Sequence, residues 1–245
     1  GLEIGGPSDT FAAGQLLPVY AVAGALDNCV PYPTTIWGEF REGRSFRFSP
    51  TRPPGLQFLG EATALSGVAD ESYDFVASCH MLEHCANPLE ALREWRRVLR
   101  PGGAILLVLP HKDGTFDHRR PTTTLDHLRA DLVNGTGEDD LTHLAEVLDL
   151  HDLSRDPGAG TRERFEARSC ENATNRGMHH HVFDTALAAE MVLSQGLQLV
   201  ALEAVAPCHV VALAAKNAVR GGAERAIVRK AVRRSPFPSD RRVAK

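Results

Sequence analysis

The chain has 245 residues, 43% of them apolar, with 27 Lys and Arg against 31 Asp and Glu and a formal net charge of −4. Such a chain can bury one sizeable core, and no run approaches the roughly 18–20 uninterrupted apolar residues that a membrane span needs. Its five cysteines (Cys29, Cys79, Cys85, Cys170, Cys208) are odd in number and lack CxxC spacing; with no basic-then-apolar leader, they set the expectation of reduced thiols in the cytoplasm.

In chain order, Leu2 to Ile4 is an apolar run stopped by Gly5-Gly6-Pro7-Ser8, the punctuation of a buried strand entering a tight turn. "AVAGALDNC" reads as a second strand ending near Asp27, and residues 28–55, rich in Pro, Thr, Arg and Gly, as an irregular insertion. A third strand is expected at Gln57–Leu59 with Glu61 at its carboxyl edge, and a fourth at Asp74–Ser78. In "NPLEALREWRRVLRPGG" the spacing of Leu89, Leu92, Trp95 and Val98 predicts a helix ended by Arg-Pro-Gly-Gly. Ala104–Pro110 is a continuous apolar run, as expected of a strand covered on both faces of a parallel sheet. Residues 111–178 break the alternation and read as an insertion over the sheet edge, with helices near Asp126–Leu132 and Leu141–Leu150. "FDTALAAEMVLSQGL" predicts an amphipathic helix closed by Gly196, and "QLVALEAVAP" and "HVVALAAK" two last strands around an Ala206-Pro207-Cys208 bend.

From residue 217 onward the balance turns basic, with Arg220, Arg225, Arg229, Lys230, Arg233, Arg234, Arg241, Arg242 and Lys245 against Glu224 and Asp240. A solvated, partly helical terminus accounts for it, and neither a nucleic-acid nor a membrane partner is expected.

Strands alternating with helices make a doubly wound, mostly parallel sheet, in which ligands bind outside the carboxyl ends of the strands. Gly5 to Ser8, Asp27, Glu61, Ser78 to His80 and His111 are therefore the polar positions of interest. The turn lacks the third glycine of a G-x-G-x-x-G dinucleotide loop, which argues against a pyrophosphate and so against a nucleotide-linked oxidoreductase. Paired glycines still let a flat ligand approach the backbone, and Glu3 suits a cationic amino group.

"LEIGGPS", "EATALSGVADESYDFVASCHMLEHCANPLEALREWRRVLRPGGAILLVLP" and "HHHVFDTALAAEMVLSQGLQLVALEA" resemble a class I S-adenosylmethionine-dependent methyltransferase of the small-molecule, methyltransferase-11-like type. The resemblance spans residues 1–216, with the insertion at about 111–178 and the basic tail at 217–245. It implies a Rossmann-like α/β fold whose seven-stranded sheet has an antiparallel last strand. It also implies that Glu3, Gly5, Gly6 and Pro7 form the first cofactor loop and that Asp27 accepts the two ribose hydroxyls. Glu61 and the Ala62 amide would lie near the adenine, and Ser78, Cys79 and His80 near the reactive end.

Methyl transfer to a hydroxyl calls for alignment and, where the acceptor keeps its proton, for a base, a role that suits histidine. His111, after the fifth strand, is the most direct candidate, with His80, His118 and His143 beside it. A divalent metal held by His111, Asp113, Asp117, His118, His143 and one of His179 to His181 is weighed and not favoured, because that mixed set names no ion. Zinc on Cys79, His80, His84 and Cys85 is disfavoured too. The expected function is methylation, most readily at oxygen, of a hydroxylated or sugar-like small molecule. A catalytically silent cofactor-fold module is the rival from another class.

Overall fold

The computed structural model describes residues 1–216 and 222–243; Arg220 and Lys245 of the basic stretch lie outside them. The strands are β1 (Leu2–Ile4), β2 (Asp27–Val30), β3 (Thr34–Thr35), β4 (Gly38–Glu39), β5 (Gly43–Phe46), β6 (Gly55–Leu59), β7 (Tyr73–Cys79), β8 (Leu99–Pro110), β9 (Gln198–Val205) and β10 (His209–Ala215). Eight of them form one sheet in the order β5-β6-β2-β1-β7-β8-β10-β9, and β3 and β4 make a separate small hairpin. β6, β2, β1, β7 and β8 run parallel, whereas β10 is antiparallel to both its neighbours. The expected doubly wound sheet with an antiparallel last strand is therefore present. Its eighth strand, β5, pairs antiparallel with β6 and comes from the segment read as irregular.

The helices are α1 (Val19–Val22), α2 (Pro88–Val98), α3 (Leu125–Asn134), α4 (Leu144–Leu150), α5 (Arg162–Cys170), α6 (Asn172–Asn175), α7 (Thr185–Ser194), α8 (Glu224–Arg234) and α9 (Pro238–Val243). α2 starts where the Asn87 side chain accepts the Glu90 N–H and Pro88 fills the first turn, where its missing N–H costs nothing. Its predicted face, Leu89, Leu92, Trp95 and Val98, is buried. α7 is capped by Asp184, which accepts the Leu187 N–H. α5 and α6 lie in the insertion without an apolar period strong enough to announce them.

Successive strand side chains point to opposite faces, and the two principal cores follow that alternation. Val76, Ile105, Leu107 and Leu109 face one core, built with α2, α7 and Ala231 of α8. Ala77 and Val108 face the other, which is closed by Phe11, Tyr20, Leu26, Phe46 and Phe48. The residues between β1 and β2 and around β5 thus cover the second face.

Two expectations are corrected here. Asp27 begins β2 instead of ending it: Leu2 pairs with Asp27 and Ile4 with Cys29, so the carboxyl end of the strand is Val30. The apolar run Ala21–Leu26 that drew the strand forward belongs to α1 and the following loop, where Ala23 and Leu26 fill the second core. The basic tail is not a solvated end: α8 packs against β9 and α7, with Ala231 and Val232 buried and Arg225, Arg229, Lys230, Arg233 and Arg234 turned outward. Among the described residues, no helix is long and apolar enough to cross a membrane.

β2 and β6 meet closely at Gly55, where a Cβ would lie 1.7 Å from the Leu26 carbonyl oxygen; at Gly60 it would meet nothing nearer than 4.0 Å. Overpacking against backbone typically costs about 1–3 kcal/mol or more. Gly55→Ala is accordingly expected to lose about 3 kcal/mol in urea unfolding, and Gly60→Ala less than about 1 kcal/mol.

Candidate active site

The Gly5-Gly6-Pro7 turn leaves the carboxyl end of β1 at the centre of the sheet. Gly5 adopts φ +84°, a region open to glycine, and a Cβ there would meet the Met81 side chain at 2.5 Å. A Cβ on Gly6 would lie 2.2 Å from the Glu3 carboxyl carbon. The turn is held from the side by Asn28, whose Oδ1 accepts the Gly6 N–H and whose Nδ2 donates to the Gly6 carbonyl, both at 2.9 Å; Nδ2 also donates to Gln57 Oε1. Asn28 is fully buried. Nothing in the sequence reading marked it, although a lone amide in an apolar strand is the signal that finds such a residue.

Glu3 lies beneath the turn and is fully buried. Ser8 Oγ donates to Oε1 at 2.7 Å and the Tyr20 hydroxyl donates to Oε2 at 2.8 Å, so this carboxylate braces the loop and is not presented to a ligand's amino group. Burial pushes its pKa up to about 7, even though the hydroxyl hydrogen bonds favour the charged form.

Two cavities meet at this turn. The first has about 600 Å³ of empty space and is lined mainly by apolar groups, among them Val30, Pro31, Trp37, Phe40, Ala62 and Met81. Glu61, His84 and Arg176 also reach it. The second is lined by Gly6, Pro7, Ser8, Asp9, Thr10, Cys79 and His80, and Gly5, Trp37 and Phe40 belong to both. At the wall of the first, Arg176 bonds Glu61 at 2.5 Å, Glu138 at 2.6 Å and the Tyr32 hydroxyl at 2.9 Å. Arg176 and Glu138 come from the insertion, which therefore closes the cleft as well as covering the sheet edge.

The residues anticipated from the sequence separate into two groups. Gly5, Gly6, Pro7, Glu61, Ala62, Cys79 and His80 line the cleft. Asp27 lies at the opposite edge of the sheet, accepting the Leu56 N–H at 2.7 Å and the Tyr73 hydroxyl at 2.8 Å. Ser78 is buried with its hydroxyl on the Ile4 carbonyl. His111 is buried against the C-terminal segment: its ring stacks on Phe237 at 3.9 Å and its Nε2 lies 3.2 Å from Asp240. The strand-end position was read correctly, but α9 covers it. His118 pairs with Asp152 at 2.8 Å, and His143 with His127 at 3.1 Å; neither lines either cavity. The metal set that joined His111, Asp113, Asp117, His118, His143 and one of His179 to His181 is thus dispersed, except that Asp117 meets His179 at 2.6 Å. Cys79, His80, His84 and Cys85 also diverge: His80 Nε2 lies 3.0 Å from His209 Nδ1, whereas Cys85 packs on Met81. His80 has φ +48°, and burial together with His209 pushes its pKa down to about 3.

Residues that the sequence reading left without a role gather at Glu83. Its carboxylate is buried, and His84 Nε2 and His179 Nε2 each lie 3.9 Å from its Oε1. Arg120, also buried, bonds the His179 and His180 carbonyls, Asp117 and Glu146, and so fixes the His179–His181 run. Burial raises the Glu83 pKa to about 7. Burial also opposes protonation of His179, but Asp117 outweighs it and the net direction is upward.

Residues 46–107, about a quarter of the chain, match the sequence family described as "Methyltransferase domain". No curated protein matches the chain in sequence. Among solved structures, an S-adenosylmethionine-dependent methyltransferase from Methanosarcina mazei is 16% identical, with 88% of this chain and 91% of that one covered at a TM-score of 0.49. A putative methyltransferase from Bacillus halodurans is 13% identical, with 89% and 92% covered at a TM-score of 0.49. One from Mesorhizobium loti is 11% identical, with 88% and 90% covered at 0.47.

The strand order and the glycine turn define a Rossmann-like protein with its ligand cleft at the carboxyl edge of the sheet. Within that frame, residues 46–107, from the end of β5 into β8, match a methyltransferase domain, for which S-adenosylmethionine is the cofactor. The cleft fits that cofactor: a glycine pair without side chains, a largely apolar wall, and a carboxylate, Glu61, just past the end of β6. Beyond the end of β2, where the resemblance implies an acid for the ribose, stand Pro31 and Tyr32.

Two outcomes follow. Asp27→Asn is expected to lower stability by about 1–2 kcal/mol through its lost partners while leaving the affinity for S-adenosylhomocysteine in calorimetry within about twofold. The raised pKa of Glu3 means that folding favours its protonated form. Its contribution is therefore full below the unfolded value of 4.5 and is lost as pH rises through about 7. Relative to Glu3→Gln, the wild type should lose up to about 3 kcal/mol of unfolding free energy between about pH 4.5 and 8.

Proposed function

We propose that the chain methylates an oxygen of a polar, hydroxylated small molecule held where the two cavities meet. The carrying observation is the division of the cleft into a largely apolar half and a more polar half that share Gly5, with an imidazole on each side of the turn: His84 on the first, His80 on the second. When bound, S-adenosylmethionine would supply an electrophilic methyl group: as the O–C bond forms the C–S bond breaks, its electrons staying on sulfur, and the acceptor's hydroxyl proton leaves to water. The Gly5-Gly6 backbone would hold its amino-acid part, Glu61 its hydroxyl or amino hydrogens, and Val30, Pro31, Ala62 and Met81 its base. Trp37 and Phe40 would exclude water. The neutral His80–His209 pair would orient the acceptor hydroxyl by hydrogen bonding; a ring with a pKa near 3 is a weak base, so its contribution is positional.

Calorimetry with S-adenosylhomocysteine, followed by an acceptor screen that detects its release, tests this reading. Glu61→Ala should weaken S-adenosylhomocysteine binding about 10-fold or more. His80→Ala should leave that binding unchanged and lower turnover about 10- to 100-fold. Absence of binding to the wild type, or turnover with amine acceptors alone, would overturn it.

A further inference from the structure

Glu83, His84 and His179 each offer one ligand atom, and the three atoms lie within 4.8 Å of one another. Both imidazoles are oriented from behind. His179 Nδ1 is 2.6 Å from Asp117 Oδ2, and His84 Nδ1 is 3.2 Å from the Met178 carbonyl oxygen, so each ring directs its Nδ1–H outward and its Nε2 toward Glu83, where the neutral ring offers a lone pair. Metal-binding histidines are held in this way, the second ring nitrogen donating to a carboxylate or a carbonyl. The backbone joins the two segments, since the Glu83 carbonyl accepts the His180 N–H at 2.8 Å.

Hydrogen bonding does not account for the arrangement. At 3.9 Å neither Nε2 is bonded to Oε1, and Oε2 has no hydrogen-bond partner among the described residues although Glu83 is only 1% exposed. A buried carboxyl oxygen without a partner is costly. A cation between the three atoms would satisfy all of them. Bonds of about 2.1 Å place neighbouring ligands about 3.0–3.5 Å apart, so closure from 3.9 Å at the carboxylate and from at most 4.8 Å between the imidazoles needs side-chain shifts of about 0.5–1 Å. By contrast, His127 and His143, in the neighbouring cluster with His181, bond one another at 3.1 Å and need no ion.

We propose that Glu83, His84 and His179 form a two-histidine, one-carboxylate centre for a divalent first-row transition ion, reached from the cleft past His84. The mixed nitrogen and oxygen set suits iron, cobalt, nickel or zinc and discriminates against magnesium and calcium. Three protein ligands leave positions open, which would take an acceptor carrying two adjacent oxygens, such as a vicinal diol or a 2-hydroxy acid. This last step rests on the methyltransferase reading; the metal site does not. Asp117 is a positioning residue for His179.

The test is titration of the chelator-stripped full chain with Co(II), read by visible ligand-field absorption, and with Zn(II) in competition, both without S-adenosylmethionine. One equivalent should bind with micromolar or tighter affinity and resist millimolar Mg(II). Glu83→Gln and His179→Ala should weaken binding about 100-fold or more, Asp117→Asn about 10- to 100-fold, and His143→Ala should bind as the wild type does. Glu83→Gln is near-isosteric, and circular dichroism confirms its fold, so the test survives if His179→Ala does not fold. No Co(II) or Zn(II) binding to the wild type, binding indifferent to Glu83→Gln, or binding abolished by His143→Ala would overturn the centre. Because S-adenosylhomocysteine affinity is measured separately, its absence would remove the methyltransferase reading and leave the metal result standing.

Discussion

Asn28 gripping both backbone groups of Gly6 is the interaction on which the cleft depends. The turn after β1 has to expose backbone at the sheet edge, yet a backbone without a ladder partner leaves its own polar groups to be satisfied. An amide on the next strand supplies a donor and an acceptor at once, and Gln57 on the strand beyond keeps that amide oriented. Glu3 then fills the space below, so that Gly6 has no room for a side chain. Three buried polar residues on three adjacent strands thus convert a flexible pair of glycines into a fixed wall between two cavities.

The parallel frame was legible because each of its strands is a short apolar run followed by turn residues, and α2 because its apolar period and its Asn-Pro start agree. The end of β2 was not. Ala21–Leu26 is as apolar as a strand, and only pairing with β1 shows that the ladder begins at Asp27. That slip moved a carboxylate from the amino end of the sheet to the carboxyl end and gave it a ligand it does not face. Gly5, Glu61 and His80 were placed correctly because they follow strands whose ends the pattern fixes. His111 follows such a strand too, but a segment more than a hundred residues later covers it with Phe237 and Asp240. No local pattern reports such a contact.

The histidine-rich insertion shows the same limit in another form. In the sequence, His111, His118, His143 and the His179–His181 run could be weighed as one shared site. The fold distributes the histidines among an ion pair with Asp152, a stacked ring against Phe237, a His127–His143 pair, a His80–His209 pair across β8 and the group around Glu83. What sorts them is Arg120. Its buried guanidinium needs several acceptors, and it finds them in the carbonyls of the histidine run and in Asp117. The arrangement of that run follows from satisfying one charge.

Trp37 stands on the hairpin between β3 and β4 and lines both cavities, with 54% of its surface exposed. The chain's other tryptophan, Trp95, is fully buried with its Nε1–H on the Ala62 carbonyl. The two indoles therefore divide optical labour. Collisional quenchers reach one and spare the other, so a shift in the quenchable emission follows events in the cleft, while the protected component reports on the integrity of the sheet. The molecule carries its own two-channel fluorescence assay, needing no label and no knowledge of the acceptor.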